Sequence, residues 1–266
     1  EAILHVVRCF EDDNVTHVSG KISPLDDVEV VETELALADL ETCSRTLDKA
    51  SRNAKSGDKS LLKKSKTLEK LISVLENGDM LRTLSFDTDT NALIQELGLI
   101  TAKPALFVAN IGEEASTSDV FCQKVSDYAE ATNAEFLSVC ASIESELIAL
   151  PMNERQEYLS ELGLKEPSLN RLVRASFALL NLHSFFTAGP KETRAWTIPI
   201  GTLASSAAGK IHGDFERGFI RAEVIGYEDY VEFGGEVRAR ELGKLRSEGK
   251  EYLVKDGDVI HFRFNV

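Results

Sequence analysis

Apolar or small residues recur at alternating intervals of three and four along two stretches of the chain. The first series comprises Val30, Thr33, Leu37, Leu40, Ser44, Leu47, Ser51 and Ala54, and the second comprises Leu61, Ser65, Leu68, Ile72 and Leu75. This spacing is typical of helices that pack along one face. The segment 55–60 between them, KSGDKS, has the composition of a turn. The two series therefore predict an antiparallel helical hairpin.

After the hairpin, short and nearly continuous apolar runs alternate with helical stretches. The runs at 105–109 and 136–140 predict buried strands, and the run at 3–7 predicts a third. Helices are expected at 120–131, 143–150 and 154–162. Strands of this kind, separated by helices, indicate a parallel sheet. Three strands are about half of a doubly wound nucleotide-binding sheet, so we expect further strands upstream of this chain.

Strands return in the last third of the chain, from about residue 183. Segments 195–199, 220–225 and 259–264 predict strands, and 207–217 predicts a helix. The last strand follows the turn-forming sequence Asp256-Gly257-Asp258. A strand, a helix, a strand and a closing strand suggest a small α+β domain of the ubiquitin-like β-grasp type.

Composition indicates a cytoplasmic protein without a membrane segment. The longest apolar stretches, such as 176–186, are too short and too often interrupted by polar residues to span a bilayer. The start lacks the basic region and the cleavage site of a signal peptide. The cysteines contain no C-x-x-C pair, which argues against a zinc site or a disulfide framework and favours buried thiols. They are Cys9, Cys43, Cys122 and Cys140.

Charge is distributed unevenly along the chain, whose formal net charge is −14. Residues 182–266 contain 12 Lys and Arg against 13 Asp and Glu, so the first 181 residues carry −13 of that total. Within that acidic part, residues 45–70 contain 9 Lys and Arg against 3 Asp and Glu. This local excess of positive charge at the predicted hairpin suggests an anionic partner.

The most distinctive motifs lie at the C-terminal end of the chain. They are the segment 185–225, FFTAGPKETRAWTIPIGTLASSAAGKIHGDFERGFIRAEVI, and the tail 256–266, DGDVIHFRFNV. Both resemble the TGS domain that ends the YchF family of Obg-like ATPases. The segments AILHVVRCF at 2–10, TELALADL at 33–40 and ALLNL at 178–182 also resemble that family. The resemblance therefore covers nearly the whole chain.

This resemblance implies an α/β fold with a partial P-loop NTPase parallel sheet and an inserted antiparallel helical hairpin, plus a C-terminal α+β TGS domain. Residues 1–25 are expected to form part of the nucleotide-binding domain, residues 26–98 the hairpin insertion, and residues 99–182 the remainder of the nucleotide-binding domain. Residues 183–266 are expected to form the TGS domain.

The resemblance also implies a hydrolase that prefers ATP, accepts GTP, uses Mg²⁺ and associates with the ribosome or RNA in a nucleotide-dependent way. Neither a membrane nor DNA is expected as a partner. The P-loop motif G-x-x-x-x-G-K-[ST] does not occur in these 266 residues. We therefore expect roughly 80 to 130 further residues upstream, which hold the phosphates and Mg²⁺. No catalytic residue and no metal ligand is assigned within this chain.

Asn110-Ile111-Gly112-Glu113 directly follows a predicted strand, at the end of the sheet where α/β proteins bind ligands. The tetrapeptide is similar to the N-x-x-E of the YchF family, which replaces the guanine-reading N-K-x-D of related GTPases. This similarity implies that Asn110, Ile111 and Glu113 contact the nucleotide base. An asparagine after a strand is also a common turn residue.

Cys140-Ala141-Ser142 follows the next predicted strand and resembles the loop that closes over the base in this family. The resemblance implies backbone contact with the base rather than side-chain specificity. A second interpretation makes Ser142 the N-cap of the following helix, supported by Glu144 and Glu146 in its first turn.

The basic residues near the predicted hairpin turn are the expected contacts for RNA or the ribosome. They are Arg52, Lys55, Lys59, Lys63 and Lys64. The alternative interpretation is a solvated helix face. A second function class also stays open, namely a non-catalytic RNA- or ribosome-binding module made of the hairpin and the TGS domain. A TGS appendage of a tRNA synthetase or of an alarmone enzyme fits less well, because no catalytic motif of either is visible.

Overall fold

The computed structural model describes residues 2–12, 22–53, 58–113 and 119–265. The chain divides into two compact units, Glu1–Leu179 and Leu180–Val266. The first unit contains, in order, β1 (Ile3–Cys9), α1 (Pro24–Asn53), α2 (Lys59–Glu76), a 3-10 turn (Leu81–Thr83), α3 (Thr88–Leu97), β2 (Ala105–Ile111), α4 (Val120–Ala131), β3 (Glu135–Val139), α5 (Ala141–Ala149), α6 (Met152–Glu161) and α7 (Ser168–Leu179).

The second unit contains, in order, β4 (Leu182–Ala188), β5 (Thr193–Pro199), α8 (Ala204–Ile211), α9 (Gly213–Arg217), β6 (Phe219–Gly226), α10 (Tyr227–Glu232), α11 (Glu236–Glu241), β7 (Arg246–Glu248) and β8 (Asp258–Phe264). Among the described helices of both units, none combines the length and the apolar composition that a bilayer crossing requires.

A three-stranded parallel sheet in the order β1-β2-β3 lies at the centre of the first unit. Its central strand is buried on both faces, which explains the continuous apolar run in the sequence. Phe107 packs on one face with Val125 of α4, and Leu106 and Val108 pack on the other with Leu172 of α7. The predicted parallel α/β sheet is therefore confirmed.

Helices α1 and α2 form the predicted antiparallel pair, but the packing face of α1 differs from the predicted one. Val30 and Leu37 of the predicted series are 63% and 52% exposed. The buried residues of α1 are instead Val28, Glu32, Ala36, Asp39, Cys43 and Ala50, with Pro24 at its start. Two acidic residues occupy buried positions because each has hydrogen-bond partners. Of the predicted series on α1, only Leu40 and Leu47 pack against the hairpin core. On α2 the predicted series is correct at Ser65, Leu68 and Leu75.

Asp39 fixes α1 to the segment that leads into β2. Its carboxylate accepts hydrogen bonds from Ile100 N at 2.9 Å, Thr101 N at 2.7 Å and Thr101 Oγ1 at 2.7 Å. Asp39 is 2% exposed and Thr101 is fully buried. A buried carboxylate requires such partners, and these three bonds hold the hairpin against the sheet domain.

The second unit is a mixed five-stranded sheet in the order β5-β4-β8-β6-β7, in which β4 and β8 are parallel and the other pairs antiparallel. Helix α8 packs small side chains, Ala204, Ala207 and Ala208, against Phe185 and Ile198 on one face of this sheet. The predicted α+β architecture is confirmed.

The single helix expected at 207–217 is wrong, because the structure has two helices there. His212 between them is extended, with φ −161° and ψ 141°, and its Nδ1 accepts a hydrogen bond from Asp214 N at 3.2 Å. The side chain thereby caps α9 and ends α8.

Gly218→Ala is expected to lower the free energy of unfolding of the second unit by about 1–3 kcal/mol, as overpacking does. A Cβ atom at Gly218 would lie 2.1 Å from the backbone oxygen of Asn265, and Asn265 N donates to Gly218 O at 2.9 Å. Denaturant unfolding followed by the fluorescence of Trp196, the one tryptophan of the chain, measures the loss. Gly213→Ala is the control, since a Cβ there meets no atom within 4 Å; equal stability of the two variants would contradict this account.

Candidate functional site

The two loops that the sequence assigned to base contact meet at the carboxyl end of the parallel sheet. Asn110 is the second-to-last residue of β2, and its Oδ1 accepts a hydrogen bond from Ala141 N at 3.2 Å. Asn110 is half-buried, whereas Ala141 is exposed. One amide side chain therefore joins the loop after β2 to the first residue of α5.

Ser142 is not the N-cap of α5, so that interpretation is wrong. The helix begins at Ala141, with the extended residue Cys140 as its N-cap and no capping hydrogen bond from the Cys140 side chain. Asn110 Oδ1 satisfies the free N–H of the first residue instead. Ser142 Oγ lies 3.1 Å from Cys140 Sγ, within hydrogen-bond distance of the thiol.

An apolar cluster supports both loops from beneath. Ile111, which is half-buried, packs with Cys140, Ile143 and Leu159, and Tyr158 lies against the same cluster. The Tyr158 hydroxyl donates to Glu146. That hydrogen bond, together with burial and the nearby charges of Glu146 and Glu113, raises the pKa of Tyr158 to about 12. The phenol therefore stays protonated near neutral pH.

A cleft of about 490 Å³ adjoins the loop after β2. Its described lining consists of Cys9, Phe10, Glu11, Gly112, Glu113, Asp119 and Phe121. The carboxylates suit a ligand group that donates hydrogen bonds, such as the exocyclic amine of a purine. No Lys or Arg is among these described lining residues, so their side chains offer hydrogen-bond acceptors and no positive charge.

The described residues also provide no Mg²⁺ site beside this cleft. The one group of three potential ligands within those residues is Glu223, Glu236 and His261, in the second unit. Glu223 is already bound by arginines there, at 2.9 Å from Arg221 and 3.0 Å from Arg263. Among the described residues, this cleft therefore offers carboxylate acceptors but no basic side chain and no group of metal ligands.

Comparison with known proteins decides the family. The chain is 50% identical over 266 residues to the protein named Ribosome-binding ATPase YchF of Escherichia coli O157:H7, a match that covers 100% of this chain and 73% of that protein. The protein of the same name from Bacillus subtilis (strain 168) is 48% identical over 269 residues, covering 100% of this chain and 74% of that protein. This chain belongs to the YchF family.

A solved YchF structure and a family model agree with this assignment. The Schizosaccharomyces pombe YchF GTPase superposes with a TM-score of 0.84 at 28% identity, covering 98% of this chain and 72% of that one. The model for the YchF-GTPase C-terminal domain, described as "Protein of unknown function (DUF933)", matches residues 182–265. The family and the fold class that the motifs indicated are thus confirmed.

The basic residues of the hairpin fall into two groups in this YchF-family structure. Arg52 and Lys59 are exposed and make no ion pair within the described part of the chain. Lys63 pairs with Asp89, and Lys64 Nζ lies 2.8 Å from Glu96 Oε1, both partners being on α3. Lys64 is only 29% exposed, whereas Lys63 is 69% exposed. Lys55 lies outside the described residues.

A buried polar network was missed in the sequence. The guanidinium of Arg82 forms an ion pair with Glu32 of α1, and the side chains are only 5% and 7% exposed. Tyr128 of α4 donates its hydroxyl to the same carboxylate at 2.5 Å, and its ring meets Phe107 of β2 edge-on with centroids 5.7 Å apart. Burial, followed by this hydrogen bond, raises the pKa of Tyr128. A local sequence pattern cannot reveal the network, because Glu32, Arg82 and Tyr128 are far apart in the sequence.

All four cysteines are buried and free, as their spacing predicted. Burial is the first cause that raises the pKa of the Cys9 thiol to about 12 and that of Cys43 to about 11. Both thiols therefore stay protonated near neutral pH, where they behave as small apolar side chains.

Proposed function

We propose that this chain supplies the base-binding side of the nucleotide site, the helical hairpin and the C-terminal domain of a ribosome-binding ATPase of the YchF type. The observation that carries the proposal is the hydrogen bond from Ala141 N to Asn110 Oδ1, which joins the two loops at the carboxyl end of the sheet. Relatives matched along the whole chain are named ATPases, which favours an enzyme over a non-catalytic module.

The proposed base contacts follow from the groups that the site leaves unused. Because Asn110 Oδ1 is engaged by Ala141 N, the Nδ2 amide is the part of that side chain left to donate to a ring nitrogen. The exposed carboxylate of Glu113 accepts hydrogen bonds, and the N6 amine of adenine donates them. Ile111 and the buried Cys140 supply the apolar support beneath the base.

Phosphoryl transfer depends on positioning and on charge stabilisation around the phosphates, which Mg²⁺ and basic groups provide when bound. We infer that residues beyond this chain supply those groups, since the described cleft does not. The role of this chain is to orient the base and to exclude water from the apolar side of the pocket.

The remaining assignments also stand as proposals. Residues 1–25 and 99–182 would form the nucleotide-binding domain, residues 26–98 the inserted hairpin, and residues 183–266 the TGS domain. The ribosome contact would include RNA and would lie in the cytoplasm. On the hairpin, Arg52 and Lys59, which form no ion pair within the described residues, are better placed for it than Lys63 and Lys64, whose charges are already balanced by α3.

ATP is expected to bind at least as tightly as GTP, because Glu113 stands where GTPases place the guanine-reading aspartate. Titration of both nucleotides into the natural gene product that contains these 266 residues checks this by calorimetry. Glu113→Asp is the informative variant, since it restores the shorter carboxylate and should raise the affinity for GTP relative to ATP. A clear preference of the unmodified protein for GTP would contradict the proposed base contacts.

A further inference from the structure

Another cleft, of about 340 Å³, lies in the first unit at the amino end of the parallel sheet. It is lined by residues of the segment 81–86, of α3 and of the segments before β2 and β3, and we call it the amino-end cleft. Pro104 in its lining directly precedes β2, whereas Asn110 lies near the other end of that strand. Seven residues of strand span about 20 Å. The amino-end cleft is therefore separate from the candidate base site.

Most of the lining of the amino-end cleft is apolar. The described residues of this kind are Leu81, Leu84, Phe86, Ile94, Ala102 and Pro104. Leu81 and Ile94 also belong to the core that α1 and α2 share, whereas Leu84 is 43% exposed. The cleft thus leads from the solvent to that core. Phe86 has no ring contact with another aromatic residue in the described part of the chain, so a planar ligand would supply its stacking partner.

The polar side chains of the lining are three amides and one guanidinium, those of Asn91, Gln95, Asn133 and Arg82. Asn91 Nδ2 donates to Phe86 O at 3.0 Å, and its Oδ1 accepts no hydrogen bond from the described residues. The side chains of Gln95 and Asn133 make no hydrogen bond with those residues either. Unused amide donors and acceptors match a ligand group that both donates and accepts, as another amide does.

Arg82 adds a donor that lacks a partner. Its side chain is only 5% exposed, and its buried Nε makes no hydrogen bond. An acceptor brought by a ligand would remove the cost of leaving this buried donor unpaired. Glu32 already balances the charge of the guanidinium, and the described lining contains no Asp or Glu. A cation therefore finds no counter-charge and an anion no unpaired cation, so the cleft favours a neutral ligand.

We propose that the amino-end cleft binds a small, neutral aromatic carboxamide. Its ring stacks on Phe86 among the apolar side chains, its carbonyl oxygen accepts from Arg82 Nε, and its amide N–H donates to Asn91 Oδ1 or to Gln95. Small-molecule sites combine a mainly apolar lining with a few placed polar groups and begin at about 300 Å³. The cleft therefore suits a ligand of one or two rings. This inference does not depend on the proposed function, because the two sites lie at opposite ends of the sheet.

The first test measures the binding of benzamide to the natural gene product by saturation-transfer NMR. A dissociation constant of about 1–10 mM is expected, the range that ligand efficiency allows for so small a molecule. Benzoate and benzylamine carry a negative and a positive charge on the same ring, and each should bind at least about 5-fold more weakly, since each lacks the neutral amide. Binding of either charged analogue as tight as that of benzamide would overturn the proposal.

Saturating ATP distinguishes the amino-end cleft from the candidate base site. Benzamide should stay bound when ATP is added, because the two ligands occupy opposite ends of the sheet. Displacement of benzamide by ATP would overturn the proposal, since the probe would then occupy the base site. If ATP itself does not bind, the proposed function fails, and the variants described next still test the cleft.

Two doubly substituted forms locate the probe. Asn91→Leu with Gln95→Leu removes two amides from the cleft, and Asn153→Leu with Gln156→Leu makes the same changes at exposed positions of α6 whose side chains form no hydrogen bond in the described part of the chain. The cleft variant should bind benzamide at least about 5-fold more weakly, and the α6 variant should bind it like the unmodified protein. Circular dichroism shows whether both are folded. Equal binding by the two folded variants would overturn the proposal.

The NMR resonance of the Arg82 Nε–H group reports the inner contact in the unmodified protein, so it remains informative if the cleft variant fails to fold. It should shift as benzamide is added, because the proton gains an acceptor, and should not shift with benzylamine, which has no acceptor to offer. A resonance that stays unchanged at saturating benzamide would overturn the proposed binding mode.

Discussion

Glu32→Ala is expected to lower the free energy of unfolding of the first unit by about 3–5 kcal/mol, because it leaves a buried arginine without its counter-charge. The side chains of Glu32 and Arg82 are 7% and 5% exposed, so water cannot replace the lost carboxylate. The guanidinium is already short of partners, since Arg82 Nε is buried without a hydrogen bond. Tyr128 would lose its acceptor as well.

Denaturant unfolding followed by far-ultraviolet circular dichroism measures this loss, since the first unit holds the long helices α1 and α2. Glu34→Ala is a matched control of the same residue type on the same helix, exposed to solvent, and should change stability by less than about 0.5 kcal/mol. Tyr128→Phe should cost about 1 kcal/mol, the value of one hydrogen bond. A Glu32→Ala protein as stable as the Glu34→Ala control would contradict the structural role of the network.

The strands of the first unit could be predicted because each is a short apolar run. Phe107 and its neighbours are buried on both faces of the sheet, so the sequence at 105–109 carries a strong signal. Strand β4 and helices α3 and α7 were not predicted. Helix α7 and strand β4 adjoin at Asn181, whose φ of 54° changes the backbone from helical to extended. Asn is a weaker signal for such a helix end than Gly or Pro.

The packing face of α1 could not be predicted from apolar spacing because charged residues occupy part of it. Glu32 and Asp39 lie at buried positions and pair with Arg82 and Thr101, which are 50 and 62 residues away along the chain. An analysis of apolar spacing therefore places them on the solvent side. The same argument applies to Lys63 and Lys64, whose acidic partners on α3 lie 26 and 32 residues further on.

The proximity of the two loops at the candidate base site could be predicted from the sequence. Both loops follow strands of a parallel sheet, and the carboxyl ends of such strands meet at one edge. The direct link between Asn110 and Ala141 could not be predicted, because it depends on the rotamer of one side chain and on where α5 begins. The contacts of Arg221 and Arg263 with Glu223 depend on the register of β6 against β8, which the sequence does not specify.

Asn110→Ala is expected to weaken ATP binding by about 1–3 kcal/mol, or roughly 5- to 150-fold in dissociation constant. The change removes the amide that would donate to the base, and it releases Ala141 N from its acceptor. Asn110→Asp separates these effects, since it keeps an acceptor for Ala141 N and replaces the donor by a negatively charged acceptor. We expect it to bind ATP more weakly than the unmodified protein while preserving the geometry of the two loops.

The most direct test of the base site is the dissociation constant for ATP, measured by calorimetry on the natural gene product and two asparagine variants. Asn153→Ala is the matched control, because Asn153 is exposed on α6 and makes no side-chain hydrogen bond within the described residues. The account predicts that Asn153→Ala binds ATP like the unmodified protein and that Asn110→Ala binds it about 5- to 150-fold more weakly. Equal affinities for the two variants would contradict the assignment of these loops to the nucleotide base.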